Sequence, residues 1–357
     1  MKHKLLNLLI PFLINSGITT ADDKSKGIYL TSWVAGSKYG HSLIEKVKES
    51  NLNTIIIDGK DATGYVTYDT NLRNVEKIGA EDIRISKKKL EGIVKDCKKN
   101  DIYTIARIVI AKDPVLAKAY NNKLAILDQK TNKHSDWVDL FSYEVMDYNL
   151  EIASELEKIG FDEINFDYLR FPDIKEVRKP DYKHRNIYWG RETPLYKAIC
   201  MFLKKADKLL DCNISVDVYA YTVWGDKARH MNEKINNIGQ VVELMGEHVD
   251  YIYPMIYPSH FSKVDQEKIV SWYKNKPLEY AVVYDGCIKG KRRTKDVKAK
   301  IVPWIQGFQM GKKLDADYIK NEIQAVKDSG IEGYLIWNSK NNYQYVWEAL
   351  KEDPIIK

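Results

Sequence analysis

The strongest constraint on this chain is an alternation that sets in at Gly27. Short β-branched or aromatic runs give way repeatedly to longer stretches whose apolar residues recur every third or fourth position, about eight pairs in all. The runs that read as strands are Ile28–Trp33, Thr54–Asp58, Tyr103–Ile110, Glu163–Tyr168, Ile214–Tyr219, Tyr251–Tyr257, Lys300–Ile305 and Gly333–Trp337. Helical spacing is clear in Leu43-Ile44-Val47, in Leu90-Ile93-Val94-Cys97, in Leu150 to Ile159 and in Ile319-Ile323-Val326. Ser86 and Asp315 suit helix N-caps, Pro194 a first helical turn, and Gly160 and Gly330 the left-handed residue that ends a helix. Parallel strands need crossover helices, and about eight right-handed units close on themselves. The pattern therefore predicts an α/β fold, a single (β/α)8 TIM barrel. The competing open sheet lacks its Gly-rich first turn, since Trp33-Val34-Ala35-Gly36 follows the first strand.

Three connections are too long for plain turns: Gly59 to Ile85, Ala111 to Asp136, and Arg170 to Arg191. All three follow the C-terminal ends of strands, the face on which barrel sites are built. A strand enclosed in a barrel carries aliphatic residues on both faces, so an inward acid is expensive unless it is paired or used. In Glu163-Ile164-Asn165-Phe166-Asp167-Tyr168, Ile164 and Phe166 share the helix side, which leaves Asn165 and Asp167 lining the barrel. In the next strand Ser215 and Asp217 take the inward parity while Val216 and Val218 pack outward. Adjacent strands lie about 4.8 Å apart, so the two carboxyl groups can approach the roughly 5 Å separation of a retaining glycosidase pair. Asp58, Lys60, Arg107, Arg170, Ser259 and His260 are expected at the same rim, with Arg107 and Arg170 holding a neighbouring aspartate ionised.

Tyrosine and tryptophan, 24 and 8, far outnumber the 8 phenylalanines, and many fall at strand ends: Trp33, Tyr168, Tyr219, Trp224, Tyr253, Tyr257, Trp304 and Trp337. Rings with a polar tip suit a wet cleft, and sugars present both apolar faces and hydroxyls. Carbohydrate is therefore the expected partner. With 56 basic against 50 acidic residues spread along the chain, the net charge of +6 is no nucleic-acid footprint. The dense run from Lys289 to Lys295 reads as a solvated connection. No nucleophile elbow, zinc-protease motif, phosphate loop or cysteine cluster is present, so no cofactor and no metal are expected. Cys97 and Cys200 read as core, and spacing alone leaves a Cys200–Cys212 bridge open. Residues 1–21 read as a secretory signal sequence: Lys2-His3-Lys4, an apolar stretch too short to span a bilayer, and a cut after Ala21. The expected protein is secreted, periplasmic or of the cell envelope, with residues 22–357 forming the barrel and no stable membrane span once the leader is removed.

The stretch Gly160-Phe161-Asp162-Glu163-Ile164-Asn165-Phe166-Asp167-Tyr168-Leu169-Arg170-Phe171-Pro172 resembles a bacterial family catalogued as a putative glycosyl hydrolase domain, in which it reads close to GFDEIQFDYVRFP. Ile57 to Asp61, Ala106-Arg107-Ile108, Ser215 to Tyr219, Ile238-Gly239-Gln240, Tyr253 to His260 and Pro303 to Gln306 agree with it, and the likeness spans residues 27 to 340. It implies a (β/α)8 barrel related to glycoside hydrolases. Gly307 stands where an aspartate is common, and Asn165 where glutamine is usual. The fourth strand is also similar to the Asp-x-x-Asp-x-Asp-x-Glu strand of chitinase-type barrels, but Leu169 occupies the place of the general acid. The expectation is thus an exported glycoside hydrolase with catalytic Asp167 and Asp217. Asp58, Lys60, Arg107, Arg170, Tyr168, Tyr219, Tyr257, His260, Trp304 and Trp337 are the expected substrate contacts. The alternative is a non-catalytic glycan-binding protein of the cell envelope on a degenerate glycosidase barrel.

Overall fold

Parallel strands that pair each with the next, and the last with the first, form the centre of the molecule. They are β1 (Lys26–Leu30), β2 (Thr54–Lys60), β3 (Tyr103–Val109), β4 (Glu163–Asp167), β5 (Asn213–Tyr219), β6 (Tyr251–Met255), β7 (Trp304–Gln306, preceded by the pairing residues Lys300–Ile301) and β8 (Tyr334–Trp337). β1 pairs with both β2 and β8, which closes the eight-stranded (β/α)8 barrel. The computed structural model describes residues 25–351 apart from 235 and 312. The signal-sequence expectation for residues 1–21 falls outside the described residues.

Two apolar layers separate along the strand parity. Ile164, Phe166, Val216 and Val218 join the core between strands and helices, whereas Tyr29, Ile56, Ile105, Tyr253, Trp304 and Leu335 pack together inside the barrel. Each fully buried Ile, Val or Phe contributes about 1.5–3 kcal/mol, which makes a one-residue slip of either strand costly. The helices Lys38–Lys48, Lys87–Lys99, Tyr143–Ile159, Leu195–Leu209, Leu278–Thr294 and Ala316–Asp328 cover the outside. Ser86 and Asp315 cap their helices by accepting from the backbone N–H groups of Lys89 and Tyr318. Gly160 and Gly330 end theirs at φ 110° and 70°.

Several boundaries differ from the expectation. β1 stops at Leu30, and Ser32–Ala35 forms a helical turn that carries Trp33 outward, 60% exposed. β7 is broken at Val302-Pro303, where proline has no N–H for the ladder. The long connections carry their own structure: Val66–Tyr68, Arg73–Ile78 and Glu81–Ile85 in the first, and Pro114–Asn122, Ala125–Asp128 and Lys133–Val138 in the second. Pro180–Asp181 of the third adds an edge to the hairpin of the second, giving a separate antiparallel sheet. The basic run near Lys289 is not a solvated connection. It ends the helix Leu278–Thr294, where buried Arg293 donates to both carboxylate oxygens of Glu243 at 2.6 Å and to the Thr222 carbonyl at 2.6 Å. Cys97, Cys200, Cys212 and Cys287 are all free thiols, and Cys200 and Cys212 form no bridge. No helix among the described residues is long and apolar enough to cross a membrane.

Candidate active site

The register of β4 against β5 sets Ser215 beside Asn165 and Val216 beside Phe166, which carries Asp217 alongside Asp167 at the C-terminal edge. There a cavity of about 580 Å³ opens. Its walls include Asp167, Asp217, Arg107, Arg170, Tyr168, Tyr219, Tyr257, His260, Trp304 and Trp337. The two acids and eight of the ten expected substrate contacts therefore meet in one place.

Asp167 is the better neutralised of the two carboxylates. Its Oδ2 accepts from Arg107 Nε at 3.0 Å and Nη2 at 2.5 Å, and its Oδ1 accepts from the Tyr168 backbone N–H at 2.6 Å. Tyr168 reaches this position with φ 51°, a left-handed conformation in which a non-glycine residue is rare. Arg107 also donates from Nη1 to Asp58 Oδ1 at 2.6 Å, and its guanidinium lies 5.0 Å from the centre of the Trp337 ring. The surrounding charges of Asp167 and Asp58 hold this buried guanidinium firmly protonated against the opposing cost of burial.

Asp217 lies in a different environment. Its Oδ1 accepts from the Trp304 indole N–H at 2.8 Å and from Asn165 Nδ2 at 3.1 Å. No cation pairs with it among the described residues. Burial, reinforced by the negative charge of Asp167, pushes its carboxyl well above the ordinary carboxylate range, against the pull of Arg107. Both donors sit on Oδ1, so a proton carried by this carboxyl would sit on Oδ2. Burial, with the same two aspartates, also raises the Tyr257 phenol, and partial burial lowers His260 at the rim, favouring its neutral ring. The mouth thus sets one carboxyl, pushed toward its protonated form by burial, beside another paired with a guanidinium, two environments that favour different roles in acid–base chemistry on a glycosidic bond.

Three expectations need correction. Lys60 does not reach the cavity. A β-bulge between Asp58 and Lys60 reverses the parity, so the fully buried ammonium points to the helix side. There it meets Asp113 Oδ2 at 2.7 Å, the Val109 carbonyl at 2.6 Å and Asn149 Oδ1 at 3.1 Å. Asp58 does face inward but lies below the cavity wall, bonded to Arg107 and to the hydroxyl of Tyr29. Arg170 lines the cavity but does not hold Asp167. It pairs with Glu176 through two bonds at 2.8 and 3.1 Å and stacks 4.5 Å from the rings of both Trp137 and Tyr219.

Gln240 was missed as a site residue although its tripeptide Ile238-Gly239-Gln240 stands out in the sequence. Its Oε1 accepts from the Tyr219 N–H at 3.0 Å, and its Nε2 donates to the carbonyls of Asp217 at 3.0 Å and Leu169 at 3.3 Å, which staples the ends of β4 and β5. A lone polar residue in an irregular segment has no periodicity by which to find it. Leu169, at the chitinase acid position, is fully buried among helix-facing side chains. Gly307 has no room for an aspartate on this backbone, because a Cβ there would fall 2.6 Å from Ile336 Cγ2. Among the described residues no group of three His, Cys, Asp or Glu side chains is placed to hold a metal.

A closed barrel with two carboxyl groups from adjacent strands, in contrasting settings at its mouth, is an architecture that glycoside hydrolases use. The chain belongs to the family described as "putative glycosyl hydrolase domain", whose profile matches residues 27–343. It is similar to a hypothetical protein from Ruminiclostridium thermocellum ATCC 27405, at 30% identity over 54% of this chain and 97% of that one, with a TM-score of 0.46. The glycoside hydrolase domain of PgaB (BpsB) from Bordetella bronchiseptica superposes with a TM-score of 0.59 at 12% identity, covering 91% of this chain and 98% of that one. A chitobiase from Flavobacterium johnsoniae gives 0.54 at 11% identity, covering 91% and 48%. These last two share the barrel. No curated protein matches the chain.

Proposed function

We propose that this protein is an exported hydrolase of O-glycosidic bonds in a polysaccharide or oligosaccharide, with Asp217 as acid and base and Asp167 as nucleophile or charge stabiliser. As the bond between the anomeric carbon and the leaving oxygen breaks, the proton on Asp217 passes to that oxygen. Asp167, paired with Arg107, meets the positive charge that develops at the anomeric carbon. Water then supplies the hydroxyl at that carbon and returns a proton to Asp217. The observation that carries the reading is the opposite setting of two carboxyl groups from adjacent strands at one cavity, one paired with a guanidinium and the other held by neutral donors. Export rests on residues 1–21 and is tested by the N-terminal mass of the protein recovered outside the cell.

The catalytic test is cleavage of a polysaccharide panel by the wild type, Asp167→Asn and Asp217→Asn. A positioned acid–base group contributes about 10²–10⁴-fold, and a loss of that size is expected in Asp217→Asn. Full activity in both variants overturns the mechanism. The engagement of Asp167 on both oxygens favours a second reading, a glycan-binding barrel without turnover. That reading predicts saturable binding, no product, and binding that survives Asp217→Asn.

A further inference from the structure

A second cavity of about 640 Å³ adjoins the first and shares Tyr219, Tyr221 and Phe261 with it. Its volume lies within the range of small-ligand sites, and the three shared residues set the two spaces side by side. Its other lining residues include Trp224 and Trp272, neither of which the two-carboxylate mechanism uses.

These rings are fixed before any ligand arrives. The Trp224 indole donates to Asp285 Oδ2 at 2.6 Å and packs edge-on against Phe261 at 5.2 Å. Asp285, 3% exposed, also accepts from Tyr273 and pairs with Lys289. The Lys289 ammonium in turn lies 4.8 Å from the centre of the Trp272 ring. Tyr221 packs tilted against Phe261, ring centres 4.9 Å apart, and donates its hydroxyl to Asp265 at 2.7 Å. Tyr221 and Trp272 are 45% and 50% exposed in spite of this support. Large rings held rigid yet open to water lose little entropy on binding, and the polar edge beside them, Asp265, Lys268 and Arg229, carries both signs of charge. A neutral ring with one apolar face and hydroxyls around its edge fits such a surface, whereas a purely apolar or strongly charged ligand does not.

We infer that the second cavity binds further sugar residues of the chain whose bond lies between Asp167 and Asp217, so that the substrate is a polysaccharide held along its length. This inference rests on the hydrolase reading of the first cavity. Bound sugars would run from the acids past Tyr219, over Tyr221 and onto Trp272, along the side of the mouth formed by the segments after β5 and β6.

The experiment is binding and cleavage of an array of neutral oligosaccharides, two to eight residues long, β-N-acetylglucosaminyl and β-glucosyl series among them, by the full chain. Three variants accompany the wild type: Trp272→Ala, Trp272→Phe, and Trp33→Ala at an exposed ring elsewhere on the surface. Wild-type affinity is expected to rise with length beyond four residues. Trp272→Ala should bind the long glycans about tenfold more weakly and lose the length dependence, Trp272→Phe should recover part of it, and Trp33→Ala should match the wild type. Affinity for long glycans that is equal in Trp272→Ala and the wild type, or no gain with length in the wild type, overturns the inference. Glycans cut by the wild type but insensitive to Trp272 leave the hydrolase reading standing and remove this one. Long glycans bound through Trp272 but never cut remove the hydrolase reading and keep the second cavity as a polymer site.

Discussion

Glu163 and Asp167 lie four residues apart on β4 and both face the barrel interior, one at the floor and one at the mouth. Glu163 has no exposed surface and accepts from the hydroxyls of Tyr253 at 2.6 Å and Tyr103 at 3.1 Å. Burial raises it from the usual glutamate range to about 7, although those hydroxyls and Ser215 pull the other way. Asp167 faces a guanidinium and an open cavity instead. A buried acid on a barrel strand is therefore not in itself a site. Neutral donors under a lid of tyrosine rings make a structural plug, and a cation beside an opening makes a charge available to a ligand.

The sharpest way to break this contrast is to remove the cation. Arg107→Met leaves Asp58 and Asp167 buried without a partner, and a loss of about 3–5 kcal/mol in unfolding free energy is expected at neutral pH. The deficit should shrink as the pH falls to the ordinary carboxylate range of about 4, because protonation removes uncompensated charge. Denaturant unfolding at the two pH values checks it, and a neutral effect would mean that the mouth is not held together by charge.

At the floor the expectation runs through a proton. Native Glu163 retains a proton that the unfolded chain has lost above its ordinary value of 4.5, so its contribution is complete below that pH and disappears as pH rises through about 7. Over that window the stability change amounts to roughly 3 kcal/mol. Glu163→Gln should flatten this slope in a series of unfolding curves while leaving glycan cleavage intact. A variant that keeps the slope would remove Glu163 from the account.

Asn165 stands between the two ends, and its replacement gives the smallest effect. It donates to Asp217 Oδ1 and to Ser215, and a donor favours the charged carboxylate. Asn165→Ala should therefore move Asp217 further up and carry the basic limb of the pH profile of kcat/KM upward with it. An unmoved limb would show that a different group supplies the proton.

Much of the fold was legible because strand parity is strict. Ile164 and Phe166 on one side fix Asn165 and Asp167 on the other, and the same logic places Ser215 and Asp217. Where parity breaks, the reading broke with it. Lys60 shares its parity with Asp58 in sequence, but the bulge turns it out to Asp113, and nothing in the local composition announces the extra residue. Arg170 sits three positions after Asp167, near enough to suggest a pair. The left-handed turn at Tyr168 swings it to Glu176, a partner from the connection that follows, where no repeat constrains the chain. Gln240 and Trp224 belong to irregular stretches of the connection after β5 and become visible only once that connection is placed.

The positive φ of Tyr168 ends β4 abruptly and anchors the final carboxylate to the backbone at the very point where the chain leaves the barrel. Loop residues 170 to 191 consequently begin on the far side of a fixed corner. Lengthening or reshaping them would change what the mouth accepts while the Asp167 carboxylate keeps its place, so new specificities can evolve on this scaffold without disturbing the pair of acids at its centre.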